Sequence, residues 1–328
     1  MNVIVALLLV ISFVLPLLPP TTFPTLSLLS LAVSPLILLN IIFTIYWLFR
    51  LKKRFLFSFV VLVIAYFHFN PFIEISSEGD TSDYTKTLSV LTYNVHLFNA
   101  YEKEPKEQEV MQQFSELLKT ENPDIVCIQE FYSDYTTDMS NYPYQFIHFK
   151  EAGNKLGHAI FSKYPLINKG GFDFNDSHNN TIYADAIVGG DTIRIYNLHL
   201  ESLGIQPSVS FLQNRDTEKL KNRISETFVA QEKQIELILN HKSKSPYPAI
   251  LLGDFNNTPF SYTYRKLKRD MKDAFLKRGN GLGTTYLFDS YPMRIDYILL
   301  SRDMDVVKFK TIKNSFSDHY PVTATIGW

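Results

Sequence analysis

Pro248-Ala249-Ile250-Leu251-Leu252-Gly253-Asp254-Phe255-Asn256 is an apolar, β-prone run that stops in a turn bearing an acid and an amide. A run apolar at every position reads as a strand buried on both faces, so further layers must cover it. The polar cluster at its end has no packing reason to be there. A second cluster, Ser317-Asp318-His319-Tyr320-Pro321, stands before the strand-like residues 322–326 and sets an acid beside an imidazole. Acid, amide and imidazole at strand ends are the groups that metal-assisted hydrolysis of a phosphate ester requires.

Around these clusters, strand-like runs alternate with helix-like ones. Residues 88–95, 125–129, 159–161, 183–188, 192–198, 249–252, 295–300 and 322–326 read as strands. Residues 106–119 place Val110, Phe114, Leu117 and Leu118 on one helical face. Residues 216–240 read as a long helix, apolar at Phe228, Ile235, Leu237 and Ile238. No internal repeat is visible. Strands and helices mixed in this number predict one layered α/β domain over residues 88–328. The mostly polar residues 74–87 read as a linker to it.

The remainder is a different material. Of the 328 residues, 46% are hydrophobic and 20% charged, yet residues 1–49 contain no Asp, Glu, Lys or Arg. Three apolar stretches occupy residues 3–18, 26–49 and 55–69; the last needs Asn70-Pro71-Phe72-Ile73 to complete a span. At ~1.5 Å per residue the second is long enough for the ~30 Å of a bilayer core, and Pro35 within it is tolerated there. The basic loop Arg50-Leu51-Lys52-Lys53-Arg54 follows the second stretch, and the positive-inside tendency puts it in the cytoplasm. Three membrane helices in residues 1–73 then predict a multi-pass protein of the cytoplasmic membrane, with everything beyond residue 75 outside. A cleaved signal peptide fits less well: there is no basic start and no small-residue cleavage site, and two further apolar stretches follow.

Four of the 32 bases and one of the 33 acids precede residue 75, so the domain carries 28 against 32, a charge of −4. Broad nonspecific nucleic-acid binders are usually basic, so this weighs against one, though not against a nuclease whose metal supplies positive charge. The single cysteine, Cys127, excludes an internal disulfide and reads as a small core hydrophobe.

Chemistry-bearing residues recur at strand ends: Asn94, Glu130, His199, Asp254 with Asn256, Asp296, and Asp318 with His319. Polar loop residues are common, but six such positions from widely separated strands favour a shared site. The motifs that carry them are Thr92-Tyr93-Asn94, Ile128-Gln129-Glu130, Asn197-Leu198-His199-Leu200, Gly253-Asp254-Phe255-Asn256, Arg294-Ile295-Asp296-Tyr297 and Ser317-Asp318-His319-Tyr320-Pro321. In this order, over residues 88–328, they resemble the endonuclease/exonuclease/phosphatase superfamily. That superfamily includes deoxyribonucleases, abasic-site endonucleases, inositol polyphosphate phosphatases and neutral sphingomyelinases. The resemblance implies a four-layer sandwich of two facing mixed β-sheets flanked by helices, here preceded by the N-terminal transmembrane helices. It places the site at one end of the sandwich.

Chemistry and resemblance together suggest the roles. Glu130 would be a hard oxygen ligand for Mg²⁺ or Mn²⁺, with Asp318 assisting directly or through water. Asp254 would orient or deprotonate the attacking water. Asn94 and Asn256 would donate amide hydrogens to the phosphate. His319 would contact a phosphoryl oxygen, its ring held and kept cationic by Asp296, and His199 would be a second phosphate contact. Simpler readings stand beside these: Asp296 as a strand-start acid, Arg294 as a surface cation, His199 as a satisfied core histidine. His158 fits either the site or the core, and His96 receives no role. The expected enzyme is a membrane-tethered, metal-dependent phosphoester hydrolase acting on nucleic acid, or alternatively on a phospholipid headgroup or inositol phosphate. No protein partner is expected. The second alternative is a noncatalytic membrane-tethered binding module that kept the fold; loss of a core acid would support it, and none is lost.

Overall fold

A computed structural model of the chain describes residues 1–69, 72–135, 138–151, 153–175, 177–205, 208–213 and 216–328. Beyond residue 86, two six-stranded sheets dominate. Their strands, numbered along the chain, are β1 (Thr87–Asn94), β2 (Ile125–Tyr132), β3 (Tyr144–Phe149), β4 (Leu156–Ser162), β5 (Leu166–Asp173) and β6 (Asn180–Val188). They continue as β7 (Asp191–His199), β8 (Ala249–Asp254), β9 (Met271–Asp273), β10 (Asp296–Ser301), β11 (Asp305–Thr311) and β12 (Val322–Gly327). One sheet runs β11-β12-β1-β2-β4-β3 and the other β9-β10-β8-β7-β6-β5. Each has one parallel pair at its centre, β1 with β2 and β7 with β8, among antiparallel neighbours.

A parallel pair needs a crossover, and a helix supplies it in both sheets. Glu107–Glu121 links β1 to β2, buries Val110, Phe114 and Leu118 at four-residue spacing, and ends on Asn122 in the left-handed region at φ 42°. Thr217–Ser243 links β7 to β8; it starts on an Asp216 side chain that accepts from the Glu218 and Lys219 amides. Its inward stripe includes Phe228, Ile235 and Ile238. The sheets face each other through Leu88, Val90, Ile125 and Cys127 on one side and Ile195, Ile250, Leu252 and Ile298 on the other. One position along, Leu91, Val126 and Ile128 lie under Phe114 and Leu118, while Tyr196, Leu251 and Leu299 lie under Ile235 and Ile238. This is the expected four-layer sandwich, and it is why residues 249–252 show no polar alternation. Cys127 sits fully buried in the inner layer, where burial pushes its thiol pKa up.

The eight strands read from the sequence are the interior strands of the two sheets. The structure adds Tyr144–Phe149, Leu166–Asp173, Met271–Asp273 and Asp305–Thr311, which are the four edges. Edge strands are covered less and use charge, glycine and irregular register to avoid pairing with other chains, which erases the apolar signature. Thus β5 contains Lys169-Gly170-Gly171 and a register shift between Ile167 and Gly170, and β11 shifts between Val306 and Lys308. The strand read at 159–161 extends over Leu156–Ser162.

The N-terminal residues form an antiparallel helical bundle. Asn2–Ser12, Val33–Phe49 and Phe55–His68 pack through small or apolar side chains including Ala6, Leu9, Val33, Ile37, Val61 and Ala65. Only one helix among the described residues is long and apolar enough to cross a membrane, the 26-residue Pro24–Phe49. That is fewer than the three expected. Asn2–Leu17 and Phe55–Phe69 are shorter, the first tightening into a 3₁₀ turn at Leu15–Leu17 around Pro16. The Asn70-Pro71 pair needed to lengthen the third stretch lies outside the described residues. The Asn2 amide donates to the Arg54 carbonyl at one end of the bundle, and the Phe13 and His68 rings meet at 4.9 Å at the other. That second end docks on the sandwich. Phe69 packs edge-on against Phe260 at 5.1 Å, and the Thr21 amide donates to Glu232 at 2.7 Å. Residues 74–87 lie along the domain, with Glu74–Ile75 paired to Asn280–Gly281 and the Gly79 amide donating to the Val307 carbonyl.

Candidate active site

Topology brings the strand ends together. Parallel partners end on the same side, so Asn94 finishes β1 beside Gln129, and His199 finishes β7 beside Asp254 of β8. Antiparallel β10 begins at the same rim, with Asp296 opposite Asp254. Glu130 follows Gln129 inside a bulge, where the β2 register shifts between Ile128 and Phe131, and has φ 54°. A left-handed glutamate costs roughly 1–2 kcal/mol, and the bulge turns its side chain toward the cleft. Gly253 has φ 136°, and a Cβ there would lie 2.0 Å from the Leu198 carbonyl oxygen, so only glycine fits between the paired strands.

Asp254 is the hub. It is 1% exposed. Its Oδ2 accepts from the Asn94 amide at 3.1 Å and lies 3.7 Å from Nε2 of both His199 and His319. Its Oδ1 accepts from the Asn256 backbone N–H at 2.8 Å. Asn94 also donates to Glu130 Oε1 at 3.2 Å, so both amide hydrogens point at carboxylates. Asn256 directs its side-chain amide to the Leu200 carbonyl at 2.9 Å, which leaves its other hydrogen for the cleft. His319 Nδ1 lies 3.0 Å from Asp296 Oδ2. The Thr285 hydroxyl accepts from the Asp296 backbone N–H at 3.1 Å, and the Tyr286 ring lies 4.9 Å from the His319 ring.

The three central groups titrate in different directions. Burial pushes Asp254 up, His319 opposes this and Asp296 adds to it, giving about 7. Burial would lower His319, but Asp296 and Asp254 outweigh it and hold the imidazole at about 10. His199 falls to about 3 through burial and the nearby His319. At neutral pH one imidazole facing Asp254 is therefore a cation and the other is neutral. Behind His199, at 3.2 Å from its Nδ1, sits His158 Nε2. His158 is held well below its usual pKa by burial and by His199.

The sequence-derived residues thus fall around one cleft, with Asp296 buried behind His319 and with Asp318 and His96 at the more exposed mouth, 3.7 Å apart. Asp254, Asp296 and His319 also come close enough to suggest a metal trio. Their protonated imidazole argues otherwise, since an imidazolium donating to Asp296 has no lone pair for an ion. The open carboxylates fit better. No Lys or Arg ion pair among the described residues reaches Glu130, Asp254, Asp296 or Asp318, so imidazoles, of which His199 is neutral, are the only basic partners of four acids. Hard oxygen donors with uncompensated charge suit a divalent cation such as Mg²⁺.

Other residues of the motifs tie the scaffold. Gln129 donates to Thr92 in its own sheet at 3.0 Å and to Asn197 in the facing sheet at 2.6 Å. Asn197 returns hydrogen bonds to the Ile128 and Ala159 carbonyls at 2.9 and 3.0 Å. Ser317 donates to the Asn94 carbonyl at 2.8 Å and so joins the two ends of the first sheet's motif set. These residues were inside the quoted motifs, but polar strand positions gave no sign of which neighbour they would meet. Arg294 is not a surface cation. It is buried, pairs with Asp273 at 2.7 Å, and lies 4.6 and 4.8 Å from the Phe275 and Tyr297 rings.

A two-sheet sandwich with acids, amides and imidazoles at one rim is the fold of phosphoester hydrolases. The chain belongs to the Endonuclease/Exonuclease/phosphatase family, whose family model matches residues 91–319. Residues 1–72 match a second family model, described as a domain of unknown function. Among solved structures, the chain is similar to the endonuclease/exonuclease/phosphatase from Bacteroides vulgatus, at 17% identity and a TM-score of 0.58, covering 74% of this chain and 99% of that one. It is similar to D. rerio TDP2 complexed with single strand DNA product, at 15% identity and a TM-score of 0.55, covering 74% and 100%. It is also similar to the human Nocturnin catalytic domain with bound sulfate anion, at 17% identity and a TM-score of 0.55, covering 74% and 94%. No curated protein matches the chain.

Proposed function

We propose that the protein is a divalent-metal-dependent phosphoester hydrolase tethered to the membrane by its N-terminal helices, with the domain facing outward. The observation that carries the reading is the convergence of Asn94, Glu130, His199, Asp254, Asp296 and His319 from separate strand ends, linked at 3.0–3.7 Å. Glu130 would hold Mg²⁺ or Mn²⁺, with Asp318 assisting directly or through water, and the bound ion would supply Lewis-acid stabilisation of charge on the phosphoryl group. Asp254, with a pKa near neutrality, orients the attacking water and accepts its proton. His319 offers a charged N–H to a phosphoryl oxygen, where charge grows as the P–O bond to water forms. Asp296 keeps that imidazole protonated and fixes its ring. His199, neutral, makes a second phosphate contact and is oriented by His158. Asn94 holds the Glu130 and Asp254 carboxylates together against their repulsion, and Asn256 turns its remaining amide hydrogen toward substrate.

Three features support the tether. Pro24–Phe49 is long enough to span at ~1.5 Å per residue. The outward faces of the bundle leave large apolar side chains such as Ile4, Leu8, Ile42, Ile45, Val60 and Ile64 exposed. The basic residues 50–54 lie at the end of the bundle opposite the docked domain, as outward placement requires. A substrate panel on the full chain tests the reading: DNA, RNA, lipid phosphodiesters and inositol phosphates, each with Mg²⁺ and with chelator. Metal-dependent turnover of at least one is expected, and its absence across the panel refutes it.

A further inference from the structure

The active-site cleft does not end at the domain surface. Asn94, Glu130, His199, Asp254 and His319 line the same 1610 Å³ cavity as residues of the Pro24–Phe49 helix. Drug-sized ligand sites run to about 300–1,000 Å³, so this volume exceeds what a phosphoester headgroup alone needs. The helix contributes Leu31, Pro35 and Leu38, which share one face by their spacing. Its contributions from residue 31 to residue 41 span about 15 Å along the axis. The facing wall comes from the domain, through Leu282, Phe288 and Met293. Leu38 and Leu282 are 49% and 51% exposed, so the channel between them is open and apolar. The bundle is seated for this by Phe260, only six positions beyond Asp254, which packs into the bundle's own core.

Charge decides against a polyanion along this channel. A nucleic-acid groove is lined with Lys and Arg. Among the described residues this cavity has no Lys and one Arg, Arg294, which is buried against Asp273; it has five acids, Glu102, Glu130, Asp254, Asp289 and Asp318.

We infer that the membrane helix is a wall of the substrate site, and that the substrate is a membrane amphiphile whose phosphoester group reaches Asp254 and His319 while its hydrocarbon chain lies against Leu31, Leu38 and Leu282. This rests on the proposed hydrolase activity and adds the substrate class. A channel walled by the membrane helix would give the chain a route from the bilayer into the cleft.

The test uses the full chain in nanodiscs and a series of phosphodiesters with one headgroup and alkyl chains of two, four, six and eight carbons, each kept monomeric. Burial of a methylene predicts a rise in kcat/KM of about two- to fourfold per carbon. Leu38→Gln and Leu282→Gln, from opposite walls, should each flatten that rise by at least half; if Leu38→Gln fails to fold, Leu282→Gln gives the same reading. A flat series with the two-carbon ester still hydrolysed overturns the inference and leaves the hydrolase reading standing. No turnover of any ester overturns both. A single-stranded oligonucleotide hydrolysed faster than the eight-carbon ester also overturns the inference.

Discussion

Asp296→Asn isolates the acid–imidazole pair. The variant keeps the shape and a hydrogen-bond acceptor for His319 Nδ1, 3.0 Å away, but removes the largest influence raising the imidazole's pKa. In the native site that pKa is about 10, so His319 is almost fully protonated across the neutral range. Without the carboxylate, burial and Asp254 oppose each other, and the magnitude follows from taking the ordinary imidazole value of about 6.5 as the end point. The cationic fraction then falls to about one in four at pH 7 and about one in thirty at pH 8. If the cation stabilises the transition state, kcat/KM should drop about fourfold at pH 7 and about thirtyfold at pH 8. The alkaline limb of the pH profile should move down by about three and a half units with it. The assay is initial rate against pH for both proteins, with thermal melts to establish folding. The double variant Asp296→Asn/His319→Ala should be little worse than His319→Ala alone, because the two residues act as a unit. A loss independent of pH, or losses that multiply in the double variant, would refute the pairing.

Other perturbations address separate parts of the account. Glu130→Gln should lower turnover at limiting Mg²⁺ by about a hundredfold or more with the melting temperature nearly unchanged; near-normal turnover would dismiss Glu130 as a ligand. Gly253→Ala should destabilise the fold by about 3 kcal/mol or more, since its Cβ would meet the Leu198 carbonyl in a backbone region hostile to L-residues, and denaturant titration would measure it. A reporter fused after Trp328 should register outside the cytoplasm and one placed within residues 50–54 inside; a cytoplasmic C-terminus would contradict the outward orientation.

What could be read from the sequence follows from burial. Central strands are apolar on both faces, so β1, β2, β4, β6, β7, β8, β10 and β12 were all visible as runs, while the edges β3, β5, β9 and β11 were not. The site residues were visible because strand ends interrupt those runs with polar groups that packing does not need. Their partners were not visible. Nothing local says that Gln129 reaches Asn197 across the two sheets, or that His158 stands behind His199. Arg294 looked like a surface residue because a lone cation carries no mark of burial; Asp273 and three rings, from elsewhere in the chain, bury it. The first and third apolar stretches have the lengths read from the sequence, but the helices they form, Asn2–Leu17 and Phe55–Phe69, are shorter than the Pro24–Phe49 helix that alone among the described residues is long enough to span. The contact between membrane bundle and cleft depends on Phe260 and Phe69 meeting, a long-range event with no sequence signature.

Hydrolysis of a generic phosphodiester, bis(p-nitrophenyl) phosphate, by the purified full chain tests the central claim most directly. Turnover with Mg²⁺ is expected, with its loss on chelation, its return when Mg²⁺ is restored, and its absence in Asp254→Asn under all three conditions. Turnover indifferent to chelation, or an Asp254→Asn protein as active as the native one, would contradict it.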